Sequence, residues 1–303
     1  MKNSVIVKIW AISIALLLTS CTAIDASNTN NSNPVASANP QPSTSLESRS
    51  AQRIVALTSL SADIIDRLDS SKLVGMSGSK LLERDSRFEK IPRVSEGRSQ
   101  PNLEKIVALK PDLVIGAAGF HDSTAPKFQQ LNIPLVLSDV DSWEQLEALT
   151  NSLSKSLNAK PEKLLNKYKL ILDNKSNSKT SALVLVSVQP ILSPNKDSWA
   201  GDMLEKFNFK NIAADLQGKS AMKGYISLSP EKILQADPEV LIVVDTGDKI
   251  LDKFKSQPFW NQLKAVKSNR VYEFEYYGLV NPGSIGAIEQ ASVKLKQISS
   301  GKE

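Results

Sequence analysis

Pro101-Asn102-Leu103-Glu104-Lys105-Ile106-Val107-Ala108-Leu109-Lys110-Pro111-Asp112-Leu113-Val114-Ile115 is the stretch on which the fold turns. Asn102 is a helix-capping residue type, and Glu104 places an acid in the first turn, where the helix dipole is positive. Pro111 cannot continue a helix. Leu113-Val114-Ile115-Gly116 is a short unbroken apolar run, as a strand covered on both faces requires. The spacing therefore predicts a helix over 102–109 and a strand after it. The same order returns in Ser229-Pro230-Glu231-Lys232-Ile233 and Pro238-Glu239-Val240-Leu241-Ile242, with Ser229 standing 127 positions after Asn102. Two lobes of one design, each opening a helix on an acid, point to a two-lobed receptor with Glu104 and Glu231 in equivalent places.

Strands and helices alternate on either side of these segments. Ile54 to Thr58 reads as a strand, with Ser59 and Ser61 able to cap the helix marked by Leu60, Ile64, Ile65 and Leu68. Leu73–Met76 and Ile133–Leu137 read as strands, with a helix around 126–131. Residues 142–175 contain no strand. Trp143, Leu146, Leu149, Leu153 and Leu157 mark one helix, and Leu164, Leu165, Tyr168, Ile171 and Leu172 mark another after Pro161. Alternation resumes with strands at 182–188, 239–244 and 270–274, and helices at 201–209 and 284–298. This is an α/β pattern of mostly parallel sheets. The expected division is 1–20 signal, 21–51 tether, 52–141 first lobe, 142–178 helical connector and 179–303 second lobe.

Composition excludes a good deal. The 303 residues hold one cysteine and one histidine. That forbids an internal disulfide and a His-rich metal site. Net charge is +5, from 37 Lys+Arg against 32 Asp+Glu, with no basic run interleaved with aromatics, so no nucleic-acid partner is expected. No GxSxG elbow and no GxxxxGK[ST] loop is present.

The first twenty residues have Lys2 and Lys8 followed by the largely apolar Val5–Leu18, the pattern of an export signal. Leu18-Thr19-Ser20-Cys21 resembles the bacterial lipobox, which implies that Cys21 becomes the lipidated start of the mature chain, held at a membrane surface facing the periplasm or cell exterior. Ser, Asn, Thr, Pro and Ala fill 22 of the 29 positions from 22 to 50. Such a composition does not fold alone and reaches about 30 Å on average.

The run 101–115, Arg53-Ile54-Val55-Ala56-Leu57, Leu73-Val74-Gly75 and the helical segment at 142–175 resemble the ABC-transporter substrate-binding proteins for ferric siderophores, cobalamin and haem. The resemblance spans about 52–300. It implies two Rossmann-like lobes with mostly parallel sheets joined by a long connecting helix, the class III periplasmic binding protein arrangement, with ligand between the lobes. It further implies that Glu104 and Glu231 meet arginines of the two subunits of a membrane permease, itself coupled to an ATPase. The receptor is expected to be a monomer with no enzymatic activity.

Arg98 stands six residues before Glu104, where hydroxamate-siderophore binders of that family carry an arginine. A guanidinium fork suits anionic oxygens around ferric iron. Tyr225 occupies the equivalent place before Glu231. Trp199, Tyr276 and Tyr277 follow strands and are expected to form an aromatic wall, with Thr58, Ser59 and His121 on the opposite lobe. A siderophore already saturates its iron, so neither a protein ligand to the metal nor a cofactor is expected. Haem, with His121 or a tyrosine as axial ligand, and cobalamin are the alternatives within the family. An exported α/β hydrolase is the alternative outside it.

Overall fold

The computed structural model describes residues 50–97, 99–173, 179–216, 222–247 and 249–301; the expected signal, the expected tether up to residue 49, Cys21 and Arg98 lie outside the described residues. The first lobe holds strands β1 (Ile54–Ala56), β2 (Leu73–Ser77), β3 (Arg93–Ser95), β4 (Leu113–Ala117) and β5 (Leu135–Ser138). They form one parallel sheet in the order β3-β2-β1-β4-β5. Its helices are α1 (Ser59–Asp69), α2 (Leu103–Ala108) and α3 (Ala125–Gln130). Ile54 and Ala56 point into one apolar cluster while Val55 and Leu57 point into another with Ile106 of α2 and Phe128 of α3. Both sheet faces are thus covered, which is why the strands read as unbroken apolar runs.

Two helices follow, α4 (Trp143–Leu157) and α5 (Glu162–Leu172). The second lobe contains β6 (Thr180–Leu185), β7 (Ser187–Val188), β8 (Ile191–Pro194), α6 (Trp199–Lys206), β9 (Phe209–Asn211), α7 (Ile212–Asp215), β10 (Tyr225–Leu228), α8 (Pro230–Ala236), β11 (Val240–Asp245), α9 (Ile250–Lys255), α10 (Lys264–Lys267), β12 (Val271–Glu275), the broken turn α11 (Tyr276–Leu279) and α12 (Ile285–Ser299). A parallel sheet runs β12-β11-β6-β9, and a small antiparallel sheet runs β10-β8-β7. The repeat is real in detail. Asn102 Oδ1 accepts from the Lys105 amide and Ser229 Oγ accepts from that of Lys232. Each helix is followed by a left-handed residue just before the proline, Lys110 at φ 47° and Asp237 at φ 37°.

The lobes share one core. The inward faces of both sheets, from Ala56 and Ile115 to Val184 and Val244, belong to a single cluster with α1, α4, α6 and α12. Helix α4 is pinned at both ends. Its first amide, Trp143, donates to Asp202 of α6 at 2.8 Å, and Lys206 pairs with Glu144. At its far end the Ser156 carbonyl accepts from the Ala51 amide at 2.7 Å, and Lys72 donates to the Leu157 carbonyl. Asn158, left-handed at φ 51°, ends α4, and α5 folds back on it through a 2.9 Å hydrogen bond between Thr150 and Tyr168. The connector is thus one 15-residue helix braced by an 11-residue one.

A second tie joins the lobes. Asp63 of α1 is wholly buried. Its Oδ1 accepts from Arg67 at 3.0 Å and Arg87 at 2.8 Å, and its Oδ2 accepts from the Ile285 amide at the start of α12 at 2.7 Å. Burial works against the Arg87 charge, but Asp85 and Asp63 more than offset it and raise its pKa.

Some expectations shift. The helix read over 201–209 starts at Trp199 and ends at Lys206, because Ser198 Oγ caps it by accepting from the Gly201 amide. The strand read over 182–188 breaks after Leu185, where Val186 turns to bond Leu192. Thr58, not Ser59, caps α1.

Asp63→Ala leaves two arginines and a helix-start amide without their shared acceptor. It should lower unfolding free energy by about 3–5 kcal/mol in urea denaturation; a loss well under 1 kcal/mol would show that the network does not hold α12 in place.

Candidate functional site

Open parallel sheets bind ligands beyond the carboxyl ends of their strands, where the strand order reverses. In the first lobe that point lies between β1 and β4. Thr58 and Ser59 follow β1, and the turn carrying His121 follows β4. Thr58 Oγ1 accepts from the Ser61 amide at 3.1 Å and shares a 2.7 Å hydrogen bond with the Ser61 hydroxyl. His121 is only 4% exposed. Its Nδ1 accepts from the Ala117 amide at 2.9 Å, and its carbonyl accepts from Thr124 Oγ1 at 2.7 Å. Burial pulls its pKa below the ordinary value of 6.5. An acceptor Nδ1 is an unprotonated one, so His121 is neutral here and braces the turn between β4 and α3.

The second lobe contributes the tyrosines. Tyr225, the first residue of β10, pairs with Pro194 across the antiparallel sheet and is half-buried. Burial, then the neighbouring Tyr276 and Asp141, push its pKa to about 12, so it carries its proton at neutral pH. Tyr276 and Tyr277 follow β12 and meet edge-to-face at 5.3 Å. A Cβ on Gly283 would lie 2.4 Å from the Tyr277 ring and 2.7 Å from Leu81 of the first lobe, so the two lobes touch around that glycine. Trp199 does not join this group as expected. It is 2% exposed, stacked on Trp143 at 5.7 Å, and its indole N–H donates to the Gly278 carbonyl at 2.8 Å. As the first residue of α6 its side chain turns toward α4 and anchors the turn that carries the tyrosines.

Sequence reasoning missed a charged group beside Tyr225. Lys223 Nζ lies 2.9 Å from Asp139 Oδ2 and 2.8 Å from Asp141 Oδ2, and these acids raise its pKa. Asp139-Val140-Asp141 directly follows β5. That position, at the carboxyl end of a strand, was the available signal. Two surface hollows, of about 380 and 200 Å³, lie beside the β11 and β12 ends. Tyr277, Asp245, Glu273 and Glu275 line the larger, so it adjoins the tyrosines on the second lobe alone.

Glu104 and Glu231 are both exposed in the first turns of α2 and α8. Each helix leads back to the start of a parallel strand, so each begins at the carboxyl edge of its sheet. A hydrogen bond from the Ser229 hydroxyl holds the Glu231 carboxyl below its ordinary pKa.

The lowered pKa of His121 has a definite sign. The unfolded chain takes up the proton first as pH falls, so the stability present above about 6.5 is lost on acidification toward the folded value. Chemical denaturation of the native chain and of His121→Asn, in alkaline and mildly acidic buffer, should show their stabilities converging as pH falls. A gap independent of pH would overturn the assignment of a neutral, turn-bracing imidazole.

Comparison with known proteins bears on this arrangement. The Periplasmic binding protein family matches residues 54–276. The High-affinity heme uptake system protein IsdE of Staphylococcus aureus strain Newman is 27% identical over 238 residues, which are 74% of this chain and 79% of IsdE. An ABC transporter substrate-binding protein from Listeria monocytogenes EGD-e has the same fold, with a TM-score of 0.69 at 22% identity, covering 82% of this chain and 98% of that one. So does the periplasmic vitamin B12 binding protein BtuF of Vibrio cholerae, with a TM-score of 0.63 at 22% identity over 83% of this chain and 97% of its own. With strands, switch point and braced connector in place, and a match that runs from β1 to the end of β12, the chain belongs to the periplasmic binding protein family.

Proposed function

We propose that this chain is the receptor of an ABC importer, that it takes a ferric siderophore of hydroxamate or citrate-hydroxamate type between its lobes, and that it releases the ligand unchanged to the permease. The observation that carries the reading is the tyrosine group, Tyr225, Tyr276 and Tyr277, set on one lobe, with Tyr225 in the field of Asp141 and Tyr277 meeting Leu81 of the other lobe around Gly283. A phenol carries its proton at neutral pH and donates a hydrogen bond, as the anionic oxygens of a chelate that already fills its iron require. Arg98 is proposed to face the same ligand from the first lobe. The single histidine of the sequence, His121, gives its Nδ1 lone pair to the Ala117 amide, so its proton sits on Nε2 and no ring lone pair is left for a bare metal.

Haem is the second reading. It is favoured by the name of the relative IsdE, and a tyrosine is a known type of haem ligand. The name of BtuF keeps cobalamin as the third. Trp199 sits against the Tyr277–Gly278 turn, so its fluorescence reports on occupancy. Titration with a ferric hydroxamate, ferric citrate, haemin and cobalamin should quench with the ferric hydroxamate, and Trp199→Phe should remove most of the signal. Quenching by haemin or cobalamin alone would overturn the siderophore reading.

Glu104 and Glu231 are proposed to dock on the permease, and Cys21 to anchor the chain to the membrane outside the cytoplasm. Two exposed acids at the carboxyl edges of the two sheets can engage two related subunits at once, and such charges act mainly on orientation and association rate. The double variant Glu104→Lys, Glu231→Lys should lose uptake while keeping ligand affinity within about 3-fold of native. Equal loss of both would place the acids in the ligand site instead.

A further inference from the structure

The link between β5 and α4 is the only place where the described chain passes from the first lobe into the connector, and it is short: Asp139 to Ser142. Its downstream end is held by the second lobe through Asp202 and the Trp143 amide. Its upstream end is gripped by Lys223, whose ammonium bridges both Asp139 and Asp141. Lys223 in turn sits on a rigid base. The next residue, Gly224, has its carbonyl bonded by the Asn195 amide at 2.9 Å, and a Cβ there would lie 2.9 Å from the Asp197 carbonyl. Tyr225 follows at once and feels the charge of Asp141.

We propose that Lys223 is a positioning residue for the angle between the lobes: beside the shared core and the Asp63 tie, its bridge to Asp139 and Asp141 restrains the crossover segment against the second lobe, and the spacing of the ligand cleft responds to it. One cation held by two carboxylates on a four-residue link restrains rotation about that link from both sides. A single exposed ion pair contributes little on its own, but a bridged group at a pivot acts on an angle, which is amplified across the lobes. The lysine is 73% exposed at its side chain, so removing it does not disturb the core.

The first arm needs no ligand. The sequence has one cysteine, so Cys21→Ser provides a background for spin labels at Lys127→Cys on α3 and Lys253→Cys on α9, both exposed. The distance distribution between them should be narrow in that background and broader or shifted with Lys223→Ala. It should stay narrow with Lys223→Arg, and the native lysine should behave like the alanine variant in about 1 M salt, where exposed charges are screened. A distribution unchanged by Lys223→Ala, with the variant's thermal melt unaltered, overturns the proposal. The second arm rests on the reading of the cleft given above. Dissociation of a ferric hydroxamate should quicken about 2- to 5-fold in Lys223→Ala. If the lobe distance responds and no ferric hydroxamate titrates, the ligand reading falls and the positioning role stands.

Discussion

A single buried carboxylate, Asp63, ties the start of the last helix to the first lobe across the shared core. A charge so deeply placed is tolerable only if every oxygen is engaged. Asp63 meets that condition by accepting from Arg67 and Arg87 within its own lobe and from the Ile285 amide of α12 in the other. The helix that closes the second lobe is therefore started by the first. Arg87 also reaches Asp66 and Asp85, so the group is a network rather than a pair.

The α4 brace works alongside it. A helix whose first amide bonds α6 and whose last carbonyls bond Ala51 and Lys72 is held by hydrogen bonds at both ends. The Trp143–Trp199 stack stiffens the near end, and Trp199 passes that rigidity to the Gly278 turn. The tyrosines are thus placed by the same apolar layer that joins the lobes.

Much of this was legible in the sequence. The repeat of cap, acid, proline and apolar run at 102–115 and 229–242 located α2, β4, α8 and β11 because local chemistry alone fixes a helix start and stop. The connector was legible from its helical periodicity. The site was less so. Trp199 follows a strand as a cleft residue would, but nothing local shows that Trp143 lies ready to stack on it. The Lys223 bridge joins residues more than eighty positions apart; its acids, directly after β5, carried a signal, and Lys223 itself carried none. β10, in an antiparallel sheet with β8, escaped because its short alternating run, Tyr225–Leu228, is too brief to stand out.

The Ala51–Ser156 hydrogen bond fixes where the chain enters the body. Entry is at the amino edge of the first sheet, whereas α2 and α8 begin at the carboxyl edges, on the far side. The edge that displays Glu104 is thus the one farthest from the hydrogen bond that holds Ala51.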